Sequence, residues 1–162
     1  MAKLDPRVDM LLRVIDQSYG ARGWHGTTLR RSLRGVSVET ARWRPAADRH
    51  CIWELVLHTA YWKYIVRRRL SGDRSLKFPR QGSNWLPVSA AGDAGQWRRD
   101  VTLLEREHEL LRRVVAGLPA NRLNRRVAGS GWTYDETIWG IAAHDAYHTG
   151  QIQLLKKVRG EK

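Results

Sequence analysis

The sequence predicts an all-α fold, a four-helix bundle with a long loop between helices two and three. Three observations carry this. Four stretches repeat apolar residues at helical spacing, each bounded by cap and stop residues. No alternating run is long enough for a strand. The 162 residues are enough to bury one core without staples, and residues 4–159 read as a single domain.

Asp5-Pro6 opens the first helix, with Asp as N-cap and Pro at the first helical position. Leu4, Val8, Leu11, Leu12 and Ile15 follow at helical spacing. Gly20 and Gly23 bend or break this helix, which is expected to resume near Trp24, run through Leu29 and Leu33, and stop at Gly35. "SVETARWRP" reads as a short helical turn ended by Pro45.

The second long helix is expected from about His50 to Leu70, capped by Asp48 and stopped by Gly72. The third spans about Asp93 to Leu118, with a stripe of Trp97, Val101, Leu104, His108, Leu111 and Val115, and ends at Pro119. The fourth opens on a capping box, Thr133 with Glu136, and continues through Ile138, Ile141, His144, His148, Ile152 and Leu155. An antiparallel-type bundle is the expected packing. Residues 71–95, rich in Gly, Ser and Pro, are too long for an ordinary bundle loop. Phe78, Trp85, Leu86 and Val88 give that segment something to pack, which predicts a lid or a dimer contact, with Trp85 covering any central pocket.

The formal net charge is +13, from 29 basic and 16 acidic side chains. Such a field favours anions, but the arginines fall on every expected helix rather than on one recognition element. Zinc-finger spacing and a helix-turn-helix pattern are absent, so nucleic acid is not the favoured partner. The single cysteine, Cys51, excludes an internal disulfide and a Cys-based zinc site. No secretory h-region and no membrane-length apolar run is present, and a cytoplasmic protein is the expectation.

"HDAYHTGQIQ" places His144 and His148 one turn apart on a single face, within the apolar stripe. Inward imidazoles need partners, and a metal is one choice beside carboxylates, backbone carbonyls and water. In "IWELVLHTAYW", His58 shares a face with Leu55, Trp62 and Ile65. Three inward histidines on two neighbouring helices would build a facial site with open positions, as catalytic metals require.

"IWELVLHTAYW", followed some way on by "HDAYHTGQIQLLKK", resembles the DinB/YfiT-like metalloenzymes, and "WHGTTLRRSLRGVSVETARWRP" is similar to that family as well. The resemblance covers nearly the whole chain. It implies a four-helix bundle holding a divalent cation, often zinc or nickel, on three histidines, which fall here on His58, His144 and His148. Relatives of that family include thiol transferases using bacillithiol or mycothiol and a group acting in maleylpyruvate isomerisation; many form dimers.

Other residues read more plainly. His25 and His50 are expected as local or exposed contacts. His108 reads as a core hydrogen-bonding histidine, or as an auxiliary to the site, and Gln151 looks into the same cavity. Asp145 points about 100° from His144 on the helical wheel and is expected in solvent. Trp53, Trp62, Trp97 and Trp139 read as core. Gly150 reads as a close helix approach or clearance for the site.

Neutral imidazoles leave a divalent cation its full charge, so water or a thiol bound there loses its proton easily. Two chemistries follow: a low-molecular-weight thiolate attacks an electrophilic small molecule, or hydroxide attacks an ester, amide or strained ring. No carboxylate is evident as a general base, which favours thiol transfer. The alternative class is a non-enzymatic stress-related protein that binds metal, or nucleic acid through its charge.

Overall fold

A computed structural model of the chain describes residues 4–89 and 91–160. The N-terminal residues 1–3 read above lie outside the described range. Among the described residues there are six helices and no strand: α1 (Pro6–Tyr19), α2 (Leu29–Ser32), α3 (Val38–Arg42), α4 (Ile52–Ser71), α5 (Ala94–Ala116) and α6 (Tyr134–Arg159). The four long ones, α1, α4, α5 and α6, form the expected four-helix bundle.

Caps explain most boundaries. The Asp5 carboxylate accepts from Arg7 N at 2.9 Å, with Pro6 opening α1. Asp93 accepts from Gln96 N at 2.7 Å at the start of α5. Thr133 and Glu136 form the reciprocal box at α6, Thr133 N donating to Glu136 at 2.7 Å. Gly72 and Gly160 close α4 and α6 in left-handed conformations, φ 73° and 89°.

Two starts differ from expectation. Helix does not resume at Trp24, which is 94 % exposed beside a Gly23–Gly26 turn; only Leu29–Ser32 is helical, capped by Thr28. α4 begins at Ile52, not His50. Glu54 in its first turn takes the orphan Cys51 N at 3.2 Å, while Asp48 lies upstream against Arg49.

Each long helix packs on two others: α4 on α5 and α6, α1 on α6 and α5. Pairings fix the directions. Trp53 bonds Asp100 and Arg67 bonds Glu107, so α4 and α5 run the same way. Leu55 lines one cavity with His148, Gln151 and Leu154, and Val66 lines another with Glu136, Thr137 and Ile141, so α4 and α6 run oppositely. The antiparallel expectation therefore holds for α4 with α6 but not for α4 with α5. The reason is the long segment after Ser71. A 20-residue helix is about 30 Å long, and some 20 extended residues can retrace it. They do: Leu76 accepts from Tyr64, Phe78 packs on Tyr61, Asn84 bonds Trp62 and Trp85 stacks on His50.

The interior divides in two. One apolar cluster holds Val8, Leu11, Ile15, Leu70, Leu111, Val115 and Ile138; the other holds Leu29, Trp53, Leu57, Trp97, Leu104 and Ile152. Between them, at mid-length of the bundle, lies a belt of buried polar side chains: Ser18, His58, Lys63, Arg67, Glu107, His108, Asp145 and His148. Burying such groups is costly unless each finds a partner, and the candidate metal centre draws on part of this belt. No described helix is long and apolar enough to cross a membrane.

Candidate metal centre

His58 projects from the middle of α4, and His144 and His148 from successive turns of α6. The antiparallel contact of these helices brings the three rings together. His144 Nε2 is 3.1 Å from His58 Nε2 and 3.1 Å from His148 Nε2. The ligand atoms of all three lie within 4.8 Å of one another, and no carboxylate or thiol among the described residues joins the group.

Hydrogen bonds on the far side of the rings settle which nitrogens carry lone pairs. His58 Nδ1 lies 3.1 Å from the main-chain oxygen of Asn84, which can only accept. Its Nδ1 therefore holds the hydrogen and its Nε2 the lone pair. His148 Nδ1 donates in the same way to Gln151 Oε1 at 2.6 Å. Two lone pairs thus face His144 Nε2, which has at most one hydrogen to offer them. Protons are a poor remedy. Burial holds His58 down to about 4, with the His148 and His50 charges adding to it and the Asn84 carbonyl opposing. Burial also lowers His144 to about 3, helped by His148, His58 and Lys63, and lowers His148.

The donor set fits a divalent cation. Nitrogens about 2.0–2.1 Å from one ion at tetrahedral or octahedral angles sit about 2.9–3.4 Å apart, which matches both 3.1 Å contacts. Neutral imidazole suits zinc and nickel alike.

Trp85, expected as a cover, stacks on His58 at a centroid distance of 3.8 Å and on His50 at 3.6 Å. Asn84 beside it is in the left-handed region, φ 54°, where Asn is better tolerated than most residues. That conformation lets its carbonyl reach His58 while its side chain accepts from Trp62 Nε1 at 2.9 Å. Nothing in the sequence marked Asn84, because its role is carried by the backbone.

The histidines divide the groove between α4 and α6. One cavity, about 410 Å³, is bounded by His144 and by Trp62, Trp132, Trp139 and Arg69. The other, about 460 Å³, contains His148, Gln151, His50, Trp85 and Tyr147.

Two readings are corrected and a third is narrowed. Asp145 is fully buried rather than solvated: its Oδ2 takes Lys63 Nζ at 2.5 Å and Ser18 Oγ at 3.5 Å. The wheel angle was right, but α1 and α4 occupy that direction. Trp139 is not core; it is 58 % exposed, on the cavity wall. Gly150 is exposed, and a Cβ there would meet nothing, so no close approach requires it. His25 is exposed as expected. His108 is buried away from the three rings, stacked on Tyr19 at 3.8 Å with Nε2 3.7 Å from Asp16, and its Nδ1 has no hydrogen-bond partner.

A four-helix bundle with three histidines from two antiparallel helices, facing one point in a groove, defines a class of helical proteins able to hold a divalent cation in the bundle interior. Within that class the particular family is shown by sequence: the DinB superfamily model matches residues 23–152, and the chain belongs to that superfamily. Comparison with curated proteins and with solved structures gives no match.

Proposed function

We propose that His58, His144 and His148 bind a divalent cation, zinc or nickel, and that the protein transfers a low-molecular-weight thiol to an electrophilic small molecule. The observation that carries this reading is the convergence of three Nε2 atoms, two of them fixed as lone-pair donors by Asn84 and Gln151. A bound cation would supply Lewis acidity, favouring the ionised form of a thiol placed beside it.

The chain's own residues do the rest. Asn84 and Gln151 hold two ring tautomers, so those imidazoles need not reorganise on binding. Trp85 and Trp62 exclude water from the His58 side. The two cavities meeting at the histidines give separate places for thiol and electrophile. In the transfer, the thiol proton passes to solvent, the sulfur pair forms the carbon–sulfur bond, and the leaving group departs with the displaced pair. A general base is not needed at the rings, which agrees with the all-histidine composition of the group.

The test uses the purified protein loaded with zinc or nickel, a panel of small thiols and a chromogenic aryl halide. Product formation that requires both metal and thiol, and is lost in His58→Ala, is the expected result. His144→Ala and His148→Ala should each sharply lower metal content, by elemental analysis, with the far-ultraviolet circular dichroism still helical. Thiol-independent hydrolysis of a nitrophenyl ester would replace transfer by hydrolysis. Failure to take up any divalent metal would remove both chemistries, and salt-sensitive DNA binding that survives His58→Ala would point to the binding class instead.

A further inference from the structure

We infer that the aromatic cavity on the His144 side of the groove is the binding site for a flat, apolar molecule carrying an anionic group, the electrophile of the proposed reaction. The inference rests on that reading only for which end of the molecule reacts; the cavity's binding chemistry stands without it.

Three indoles form the walls. Trp62 comes from α4, Trp139 from α6 and Trp132 from the segment before α6. Trp132 is 65 % exposed, and indoles held this far out of a core leave broad aromatic faces for a partner. At about 410 Å³ the cavity falls in the range of small-molecule sites rather than macromolecular surfaces. His144 is part of its lining, so a molecule held there lies against one of the three rings.

The charge is set by Arg69, on α4 at the same cavity. It is exposed, and its guanidinium makes no hydrogen bond or ion pair with any described residue. The acidic residue on the wall, Glu136, is already engaged at the cap of α6, taking Thr133 N and Thr133 Oγ1. An unpaired guanidinium beside aromatic faces selects a carboxylate or similar anion on a flat body. The net charge of +13 draws such anions toward the surface.

Gly140 offers a place from which to fill the cavity. It lies within α6 and lines the cavity, and a Cβ built there would meet nothing within 4 Å. Glycine inside a helix costs about 1 kcal/mol against alanine, and no packing constraint here calls for it. A long apolar side chain there would have cavity space to occupy.

Naphthoate and its neutral counterpart naphthylmethanol are the probes, titrated against the full chain, metal-free and zinc-loaded, with tryptophan fluorescence and calorimetry as readouts. Both should bind saturably, naphthoate more tightly, in either metal state. Trp132→Ala and Trp139→Ala should each weaken both probes by about tenfold. Arg69→Gln should weaken naphthoate by about tenfold and leave naphthylmethanol unchanged. Gly140→Leu should abolish both while the helix becomes no less stable, so a folding failure cannot imitate the result. Naphthoate binding in a protein that takes up no metal would sustain the cavity while removing the metal chemistry. Metal uptake without saturable naphthoate binding, or binding indifferent to all four substitutions, would overturn the inference. So would a dimer that Trp132→Ala or Trp139→Ala converts to monomers in sedimentation, because the indoles would then be a subunit contact.

Discussion

Lys63 and Asp145 lie one layer beneath the histidines and join the helices that carry them. Burial pushes the Asp145 carboxyl up, and Lys63 and Ser18 pull it back toward the charged form. The pair has no water to fall back on, as both side chains are 1 % exposed. Removing one partner strands the other. Lys63→Met or Asp145→Leu alone should cost about 3–5 kcal/mol in guanidinium unfolding of the metal-free protein, and the double replacement much less, because two matched apolar groups leave no orphan charge. Equal losses in single and double variants would mean the pair acts by shape rather than charge. The same residue-scale logic governs His58, where one backbone carbonyl decides which nitrogen faces the cavity.

At the scale of elements, the segment between α4 and α5 is a strap returning along α4. Its own Leu86 is buried in the core, and its Trp85 lies between His50 and His58. His50 is tied in turn to Glu54 at 3.0 Å, so the strap is fastened to the first turn of α4. This gives Trp85 a positioning role toward His58 besides excluding water. Trp85→Ala should raise the rate of metal loss to a chelator by about 10- to 100-fold, the range found when groups supporting metal ligands are removed, with Trp85→Phe in between. An unchanged rate in Trp85→Ala would reduce the strap to a connector. Circular dichroism should stay helical in both, since the helices are capped independently of the strap's tip.

For the whole molecule, the buried histidines couple folding to pH. Burial, with Lys63 and Arg112 adding to it, lowers His108 from its ordinary 6.5 to about 2. The unfolded chain protonates this ring near 6.5 and the native chain does not. The stability it contributes is therefore complete above that pH and lost as pH falls toward about 2. In the metal-free protein His108→Gln should flatten the pH dependence of unfolding free energy below 6.5 by as much as about 1.4 kcal/mol per pH unit. A variant whose curve runs parallel to the parent's would show that the ring titrates in the native state. His58 and His144 add the same sign of dependence, and bound metal would deepen it, since protons compete for the same nitrogens.

The sequence by itself determined the helices, their stops and the inward stripe. Periodicity, caps and glycines act locally, and the hydrogen bonds they control close within a few residues. It also put His144 and His148 on one face, since four residues make about one turn. Partners brought from a distance were another matter. A wheel drawn for α6 gives the angle of Asp145 but not the neighbours waiting there, so its burial against Lys63 and Ser18 was out of reach. Trp139 shows the converse, an apolar residue at helical spacing left in the open because α4 and α6 part at a cavity. Whether His58 met the other two, and which way α5 ran, depended on a strap long enough to retrace α4. Only the tertiary structure decided those, because contacts between helices are set by how whole faces and connections pack, not by the order of residues along any one of them.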